Sequence, residues 1–135
     1  MHQPTITASY LAVLALIYAV LAIRVASLRR SKRVVLGDGN NDLLRAAIRS
    51  HANFGEYVPI IALMVAILEA SGSPALTIHL LMAGLLVARV LHPIGMHANP
   101  REPQFLGRVI GITITIAVLI AAALLILSRI TLTLF

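Results

Sequence analysis

Two long stretches without a charged residue constrain this chain more than any other feature. They run from Ile6 to Ile23 and from Val109 to Ser128. A helix needs about 20 apolar residues to cross the roughly 30 Å hydrocarbon layer of a bilayer. Both stretches therefore predict membrane-spanning helices, and they exclude a water-soluble globule.

The rest of the sequence predicts two further spans, which polar residues enter from one end. The four predicted helices cover residues 5–28, 42–70, 74–97 and 106–127. Charged residues make up only 12% of the chain and hydrophobic residues 59%, whereas soluble domains contain about 25% charged residues. We expect an all-α, integral membrane four-helix bundle that forms a single domain over residues 1–135.

The composition also excludes several kinds of chemistry. The chain has no cysteine, so a disulfide, a thiolate metal site and a protein thiol nucleophile are all impossible, and any thiol must come from a ligand. The net charge of +6 comes from 11 Lys and Arg against 5 Asp and Glu. In so apolar a chain this charge indicates membrane topology, and we expect no nucleic-acid partner.

The basic residues predict the orientation. One group of cations follows helix 1, namely Arg29, Arg30, Lys32 and Arg33, and a second group brackets the loop between helices 3 and 4, namely Arg89, Arg101 and Arg108. The loop at residues 71–74 contains no Lys or Arg. By the positive-inside rule, the first and third loops are cytoplasmic and both termini lie outside. Residues 1–8 carry no cation ahead of the apolar run, so we expect helix 1 to be retained rather than cleaved as a signal peptide.

The beginning of helix 2 carries the most informative polar pattern. At about 100° per residue, Arg45, Arg49, Asn53 and Glu56 fall within about 80° on one face, and Tyr57 flanks them. Guanidinium groups bind carboxylates, so this stripe suits a zwitterionic ligand with several carboxylates. Alternatively, the two arginines extend to the lipid headgroups. A charge at the depth of Glu56 is costly and usually faces a protein interior or a watery cavity.

The opposite face of helix 2 presents His51, Gly55 and Pro59, which suit close helix contact. Helix 2 therefore has no face well suited to lipid. Because four helices of one chain cannot easily surround it, we expect an oligomer with helix 2 near the symmetry axis and ligand pockets between subunits.

Helices 3 and 4 add candidate ligand-binding residues. Arg89 and His92 share a face of helix 3; Arg89 either binds a ligand or pairs with Glu56 or Glu102, and His92 either donates to a ligand or caps the helix. A zinc site formed by His51, His92 and His97 lacks helical metal-ligand spacing, so no metal is expected.

Arg108, at the start of helix 4, is either a topology anchor or a cation that favours the thiolate form of a ligand thiol. Thr113 and Thr115 are expected to bond to their own helix, and His79 is expected to have a structural role near the outer side.

The residues Arg49-x-His51-x-Asn53-x-x-Glu56-Tyr57-x-Pro59, followed on helix 3 by Ala88-Arg89-x-x-His92-x-x-Gly95, resemble the MAPEG family. These are membrane-associated proteins in eicosanoid and glutathione metabolism. The resemblance covers nearly the whole chain, including the order of four helices and the basic first loop.

The resemblance implies a homotrimer that binds glutathione between subunits on the cytoplasmic side and uses the glutathione thiolate to attack lipophilic electrophiles, as a transferase or peroxidase. Carried over by position, the glutathione-binding residues are Arg29, Arg30, Arg49, His51, Asn53, Glu56 and Tyr57. The helix 3 candidates Arg89 and His92 complete the predicted set. Arg108 is the candidate catalytic arginine, and Arg101 can be aligned with it by shifting a gap. The chain departs from glutathione-using members at His92 and Met96, where they commonly have tyrosine.

Two other functions fit the residues. The first is a non-catalytic trimer that binds membrane lipid or a partner protein. The second is a small multidrug exporter, which also uses four helices and one buried Glu. The strong asymmetry of basic residues between the loops disfavours the exporter, since exporters of that class often have nearly balanced loops.

Overall fold

The computed structural model describes residues 3–96 and 102–134. These residues form four α-helices and no strand: α1 Thr5–Lys32, α2 Asp42–Ala70, α3 Ala75–Gly95 and α4 Phe105–Leu134. All four are long and apolar enough to cross a membrane, so the predicted all-α membrane fold is confirmed. The first and last helices extend beyond their predicted ends, because charged residues such as Arg29 and Arg30 continue a helix after it leaves the apolar layer.

The first helix begins with a cap that comes from another helix. Its N-cap residue, Pro4, makes no side-chain hydrogen bond. Instead, the carboxylate of Glu69, at the end of α2, accepts from the backbone N–H groups of Ile6 and Thr7 and from the Thr7 hydroxyl, at 2.7–2.8 Å. An anion placed there satisfies free N–H groups and complements the helix dipole. This contact fixes the start of α1 against the end of α2.

A tight turn reverses the chain between α1 and α2. Arg33 ends α1 in the left-handed conformation, and Gly37 and Gly39 also have positive φ. The side chain of Asn41 then caps α2 by accepting from the Leu44 N–H at 3.0 Å. The glycine-containing stretch of residues 37–42 thus forms the turn that leads into α2.

The second and third helices form the centre of the bundle. Each contacts all the other helices, whereas α1 and α4 do not touch. The first helix buries only Thr7, Leu14 and Leu21, one residue every seven, so most of its surface faces outward. The common core includes Leu14, Phe54, Ile61, Val65, Met82, Leu85 and Ala122.

Glycines allow α3 and α4 to approach very closely. A Cβ at Gly95 would clash with the backbone nitrogen of Arg108, and one at Gly111 would lie 2.8 Å from the Ala88 carbonyl oxygen. Small residues permit such backbone contact between membrane helices. The close approach brings the polar residues of α3 against the first turns of α4.

One face of α2 is left uncovered by the other helices. Its exposed residues are Asp42, Arg45, Arg49, Glu56, Ile60, Leu63 and Ile67. The half near the first loop is charged, and the other half is apolar. The homotrimer with α2 near its axis stays a prediction.

Candidate functional site

A buried arginine links three helices at the centre of the site. Arg89 is only 1% exposed. Its Nη1 donates to Asn53 Oδ1 of α2 at 2.7 Å, and its Nη2 donates to the Thr115 hydroxyl of α4 and, at 3.4 Å, to the Gly111 carbonyl. Its Nε is buried without a partner among the described residues. No described partner is acidic, so no carboxylate among the described residues offsets the charge of this guanidinium.

The Thr115 hydroxyl fixes which groups donate and which accept in this hydrogen-bond network. It donates to the Gly111 carbonyl oxygen at 2.7 Å, as expected for a threonine that bonds to its own helix. Its proton is thereby used, so the oxygen is left to accept from Arg89. The sequence did not indicate Thr115 as part of the site, because its contact with Arg89 depends on the close α3–α4 packing.

The contact with Arg89 also fixes the amide of Asn53. An arginine can only donate, so the amide oxygen must face it and the NH₂ group must point away. That nitrogen makes no hydrogen bond with the described residues. Asn53 can therefore serve a ligand as a donor, which suits a carboxylate or carbonyl oxygen.

Other predicted residues surround this buried contact. His92 is 5% exposed, and the positive charges of Arg89, Arg108 and Arg49 all act on its ring. Tyr57 is half-buried and close enough to Arg89 for the two groups to interact electrostatically. Arginines from three helices thus all lie close enough to His92 to act on it electrostatically.

Arg49 and Glu56 lie beside this cluster on the uncovered face of α2. Arg49 Nη1 is 3.9 Å from Glu56 Oε1, and both side chains are more than half exposed. Glu56 therefore lies near Arg49 and not near Arg89, and the pairing of Arg89 with Glu56, one of the alternatives that the sequence left open, is not formed.

The depth of Glu56 follows from the length of α2. Glu56 is fourteen residues from each end of this 29-residue helix, or about 21 Å at 1.5 Å per residue. When the whole helix crosses a hydrocarbon layer of roughly 30 Å, the midpoint of the helix lies inside that layer. A carboxylate facing acyl chains there would cost several kcal/mol, so this face requires a polar or protein cover.

Arg108 lies in the first turns of α4. Its side chain is exposed, and its guanidinium carbon is 5.9 Å from the centre of the Phe105 ring. The adjacent backbone is held by Gly95, which leaves no room for a side chain between α3 and α4. The fixed backbone and free guanidinium suit an arginine that moves over a bound ligand.

Four predicted or neighbouring residues lie apart from this cluster. The His51 ring stacks on Tyr18 of α1 with centroids 4.4 Å apart. Arg29 donates to the carbonyls of Val35 and Gly37, and Arg30 lines a cleft beside that loop. Arg45 pairs with Asp38 and Asp42. Among the described residues, no hydrogen bond or ion pair joins these four to Asn53 or Arg89, so a ligand-binding role for His51, Arg29 and Arg30 stays a prediction.

The remaining histidines and acids have other surroundings. His79 accepts from or donates to the Tyr10 hydroxyl at 3.1 Å, which fits its expected structural role. His97 and Arg101 lie outside the described residues. Within residues 3–96 and 102–134, no group of three metal-ligating side chains is present. Glu69 is the buried acid that the sequence did not indicate, because its partner is the backbone at the start of α1.

Comparison with known proteins agrees with the geometry. A sequence profile of the MAPEG family matches residues 7–128. Two relatives, each named inner membrane protein YecN, come from Escherichia coli strain K12 and from Escherichia coli O6:H1 strain CFT073. Each is 34% identical over 92 residues, which is 68% of this chain and 70% of the relative. No solved structure was found to match. With the profile spanning all four helices and the helix 2 and helix 3 motif in place, the chain belongs to the MAPEG family.

Proposed function

We propose that this protein binds glutathione at the Arg89 cluster and activates its thiol for attack on lipophilic electrophiles. The observation that carries this proposal is the convergence of Arg49, Arg89 and Arg108, from three helices, with Glu56 as the acid beside them. The excess positive charge favours an anionic ligand, and the low dielectric of the membrane strengthens that preference.

Glutathione matches the charges and donors of this site. Its two carboxylates complement the arginines and the free Asn53 amide NH₂, and its ammonium group complements Glu56. Its thiol supplies what a chain without cysteine lacks. A guanidinium near the sulfur favours the thiolate, which is the nucleophilic form. We assign that role to Arg108, whose guanidinium is exposed beside the cluster.

The reaction that we propose is conjugation. The thiolate sulfur forms a bond to an electrophilic carbon, the leaving group departs with the electron pair of its bond, and the thiol proton passes to water. A lipophilic electrophile reaches the site from the surrounding bilayer. The basic loops favour a site on the cytoplasmic side by the positive-inside rule, and the relatives named as inner membrane proteins favour the bacterial inner membrane.

A second copy of the chain is part of this proposal. Arg49 and Glu56 lie on the uncovered face of α2, where a single chain leaves them beside lipid. Packing α2 near the axis of a homotrimer covers these charges and forms the ligand cleft between subunits. Native mass spectrometry of the protein in mild detergent is expected to give three chains, and a monomer at all concentrations would contradict this arrangement.

The test of the chemistry uses purified protein in detergent. We expect calorimetry to detect glutathione binding and the protein to conjugate glutathione to chlorodinitrobenzene. Arg108→Ala should lower kcat about 100-fold with a smaller change in glutathione affinity, since its charge acts mainly on the thiolate. Arg24→Ala removes an exposed cation elsewhere and should change neither value.

Two results would count against the proposal. Absence of glutathione binding at millimolar concentration would remove it and favour the non-catalytic trimer. Binding without conjugation, unchanged by Arg108→Ala, would leave a glutathione-binding protein without the catalytic role given to Arg108.

A further inference from the structure

A basic cleft lies where α1 ends, separate from the Arg89 cluster. It has a volume of about 530 Å³ and is lined by Ala26, Arg29, Arg30, Arg33, Val34 and Val35. We call it the α1 cleft. The chain forms it by turning sharply at Arg33, whose φ is +55°, so that the Val34 N–H returns to the Arg29 carbonyl at 3.0 Å.

Among the described residues, the cations of the α1 cleft have no carboxylate partner. The nearby loop acid, Asp38, is paired with Arg45, and Asp42 is paired with the same arginine. Arg29 uses its Nη1 to hold the loop through the carbonyls of Val35 and Gly37. Within the described residues, Arg30, Lys32 and Arg33 make no ion pair, so their positive charge is available to an external anion.

The apolar residues beside these cations are the most exposed in the described part of the chain. Val35 and Leu36 are each 86% exposed, whereas no other large hydrophobic residue there exceeds 70%. They lie in the loop directly after the basic end of a membrane helix. Exposed aliphatic groups next to cations at that level are typical of a segment that enters the headgroup region.

We propose that the α1 cleft binds the phosphate headgroup of an anionic phospholipid, with Arg33 of its lining as the principal cation, the neighbouring Lys32 as a second cation, and Val35 and Leu36 inserted among the adjoining acyl chains. A basic pocket at the end of a membrane helix suits such a headgroup. The phosphate diester provides acceptor oxygens for the guanidinium groups, and the acyl chains explain why apolar residues adjoin a basic cleft. This assignment does not depend on glutathione binding.

The experiment measures lipid binding directly. The full-length protein is placed in nanodiscs of phosphatidylcholine containing a minor fraction of phosphatidylglycerol, and the lipids retained on release are counted by native mass spectrometry. We expect retained phosphatidylglycerol in the original protein. The double variant Lys32→Gln/Arg33→Asn should weaken retention at least about tenfold, given the attraction of each basic residue to an anionic surface. Asparagine tolerates the left-handed conformation at position 33.

Matched variants separate the cleft from general surface charge. Arg24→Gln removes an exposed cation from the same helix outside the α1 cleft, and it should leave phosphatidylglycerol retention unchanged. Val35→Ser/Leu36→Ser keeps every cation, and it should reduce retention of the lipid while glutathione conjugation stays unchanged.

Two outcomes would overturn the proposal. Equal loss of lipid in the Arg24 variant and the double variant would show attraction to net charge alone. Inorganic phosphate or glycerophosphoglycerol displacing the lipid at similar concentration would show a free-phosphate site without a role for the acyl chains.

Discussion

Glu69 and Arg89 are both buried charged residues, yet the structure surrounds them differently. Glu69, 7% exposed, accepts three hydrogen bonds from the first turn of α1. Arg89, 1% exposed, donates to Asn53, Thr115 and a carbonyl and has an unpartnered Nε. Neither is paired with an opposite charge among the described residues.

The difference lies in what surrounds each charge. Glu69 meets the positive end of a helix dipole, so its charge is offset by the fold itself. Arg89 lies near two further arginines, so the fold concentrates charge there instead of offsetting it. A buried charge that lies against groups of opposite polarity stabilises the structure. A buried charge that lies among charges of the same sign indicates a site for a ligand.

The largest expected effect is that of Glu69 substitution on the free energy of unfolding, and it tests this comparison directly. Glu69→Ala removes the acceptor for two backbone N–H groups and one hydroxyl, so we expect the free energy of unfolding to fall by about 3 kcal/mol. Glu69→Gln keeps one acceptor oxygen and should lose roughly half as much. Unfolding in mixed micelles measures both. An unchanged free energy in the alanine variant would mean that the cap is not stabilising.

Substitution of Arg89 should affect ligand binding more than stability. Arg89→Met removes the cost of an unpaired buried cation but leaves the Asn53 oxygen without its donor. Since these effects oppose each other, we expect a change below about 1 kcal/mol in the free energy of unfolding. Glutathione affinity should fall at least about tenfold, because a charge is lost and the Asn53 amide is freed. Calorimetry and micelle unfolding together test this, and a severe stability loss would make Arg89 structural, like Glu69.

A milder change tests whether glutathione binding also depends on the orientation of the Arg89 guanidinium. Thr115→Val removes the hydroxyl that accepts from Arg89, so we expect glutathione affinity to fall about threefold to tenfold while the charge is retained. Thr115→Ser keeps the hydroxyl and should restore binding. If valine and serine bind glutathione equally well, the network on α4 does not orient the guanidinium.

The smallest effect concerns an ion pair outside the spans. The hydrogen bond from Arg45, with help from the Asn40 N–H, holds the pKa of Asp38 below its usual 3.8. A lowered pKa in the folded state contributes stability above the usual pKa, and this contribution is lost as the pH falls through the lowered value. Arg45→Gln should return the Asp38 pKa towards 3.8, as followed by NMR titration, with no change in glutathione binding.

Several residues of the candidate site could be predicted from the sequence, but the contacts between them could not. Helical periodicity placed Arg49, Asn53 and Glu56 on one side of α2, and the structure keeps Arg49 and Glu56 on its uncovered face. Periodicity could not show that Asn53 turns inward to Arg89, because this depends on how closely α3 packs. Likewise, Glu69 and Thr115 gain their roles from backbone groups of other helices, which leave no pattern in side-chain spacing.

The amino-acid sequence by itself determined that the chain is a four-helix membrane protein and which family it belongs to. Apolar length fixes the number of spans, since burying uncharged side chains in lipid needs no particular partner. Only the tertiary structure decided which charges are offset and which are concentrated. That outcome depends on contacts of a few ångströms between helices, and the glycines that allow them act through the absence of a side chain.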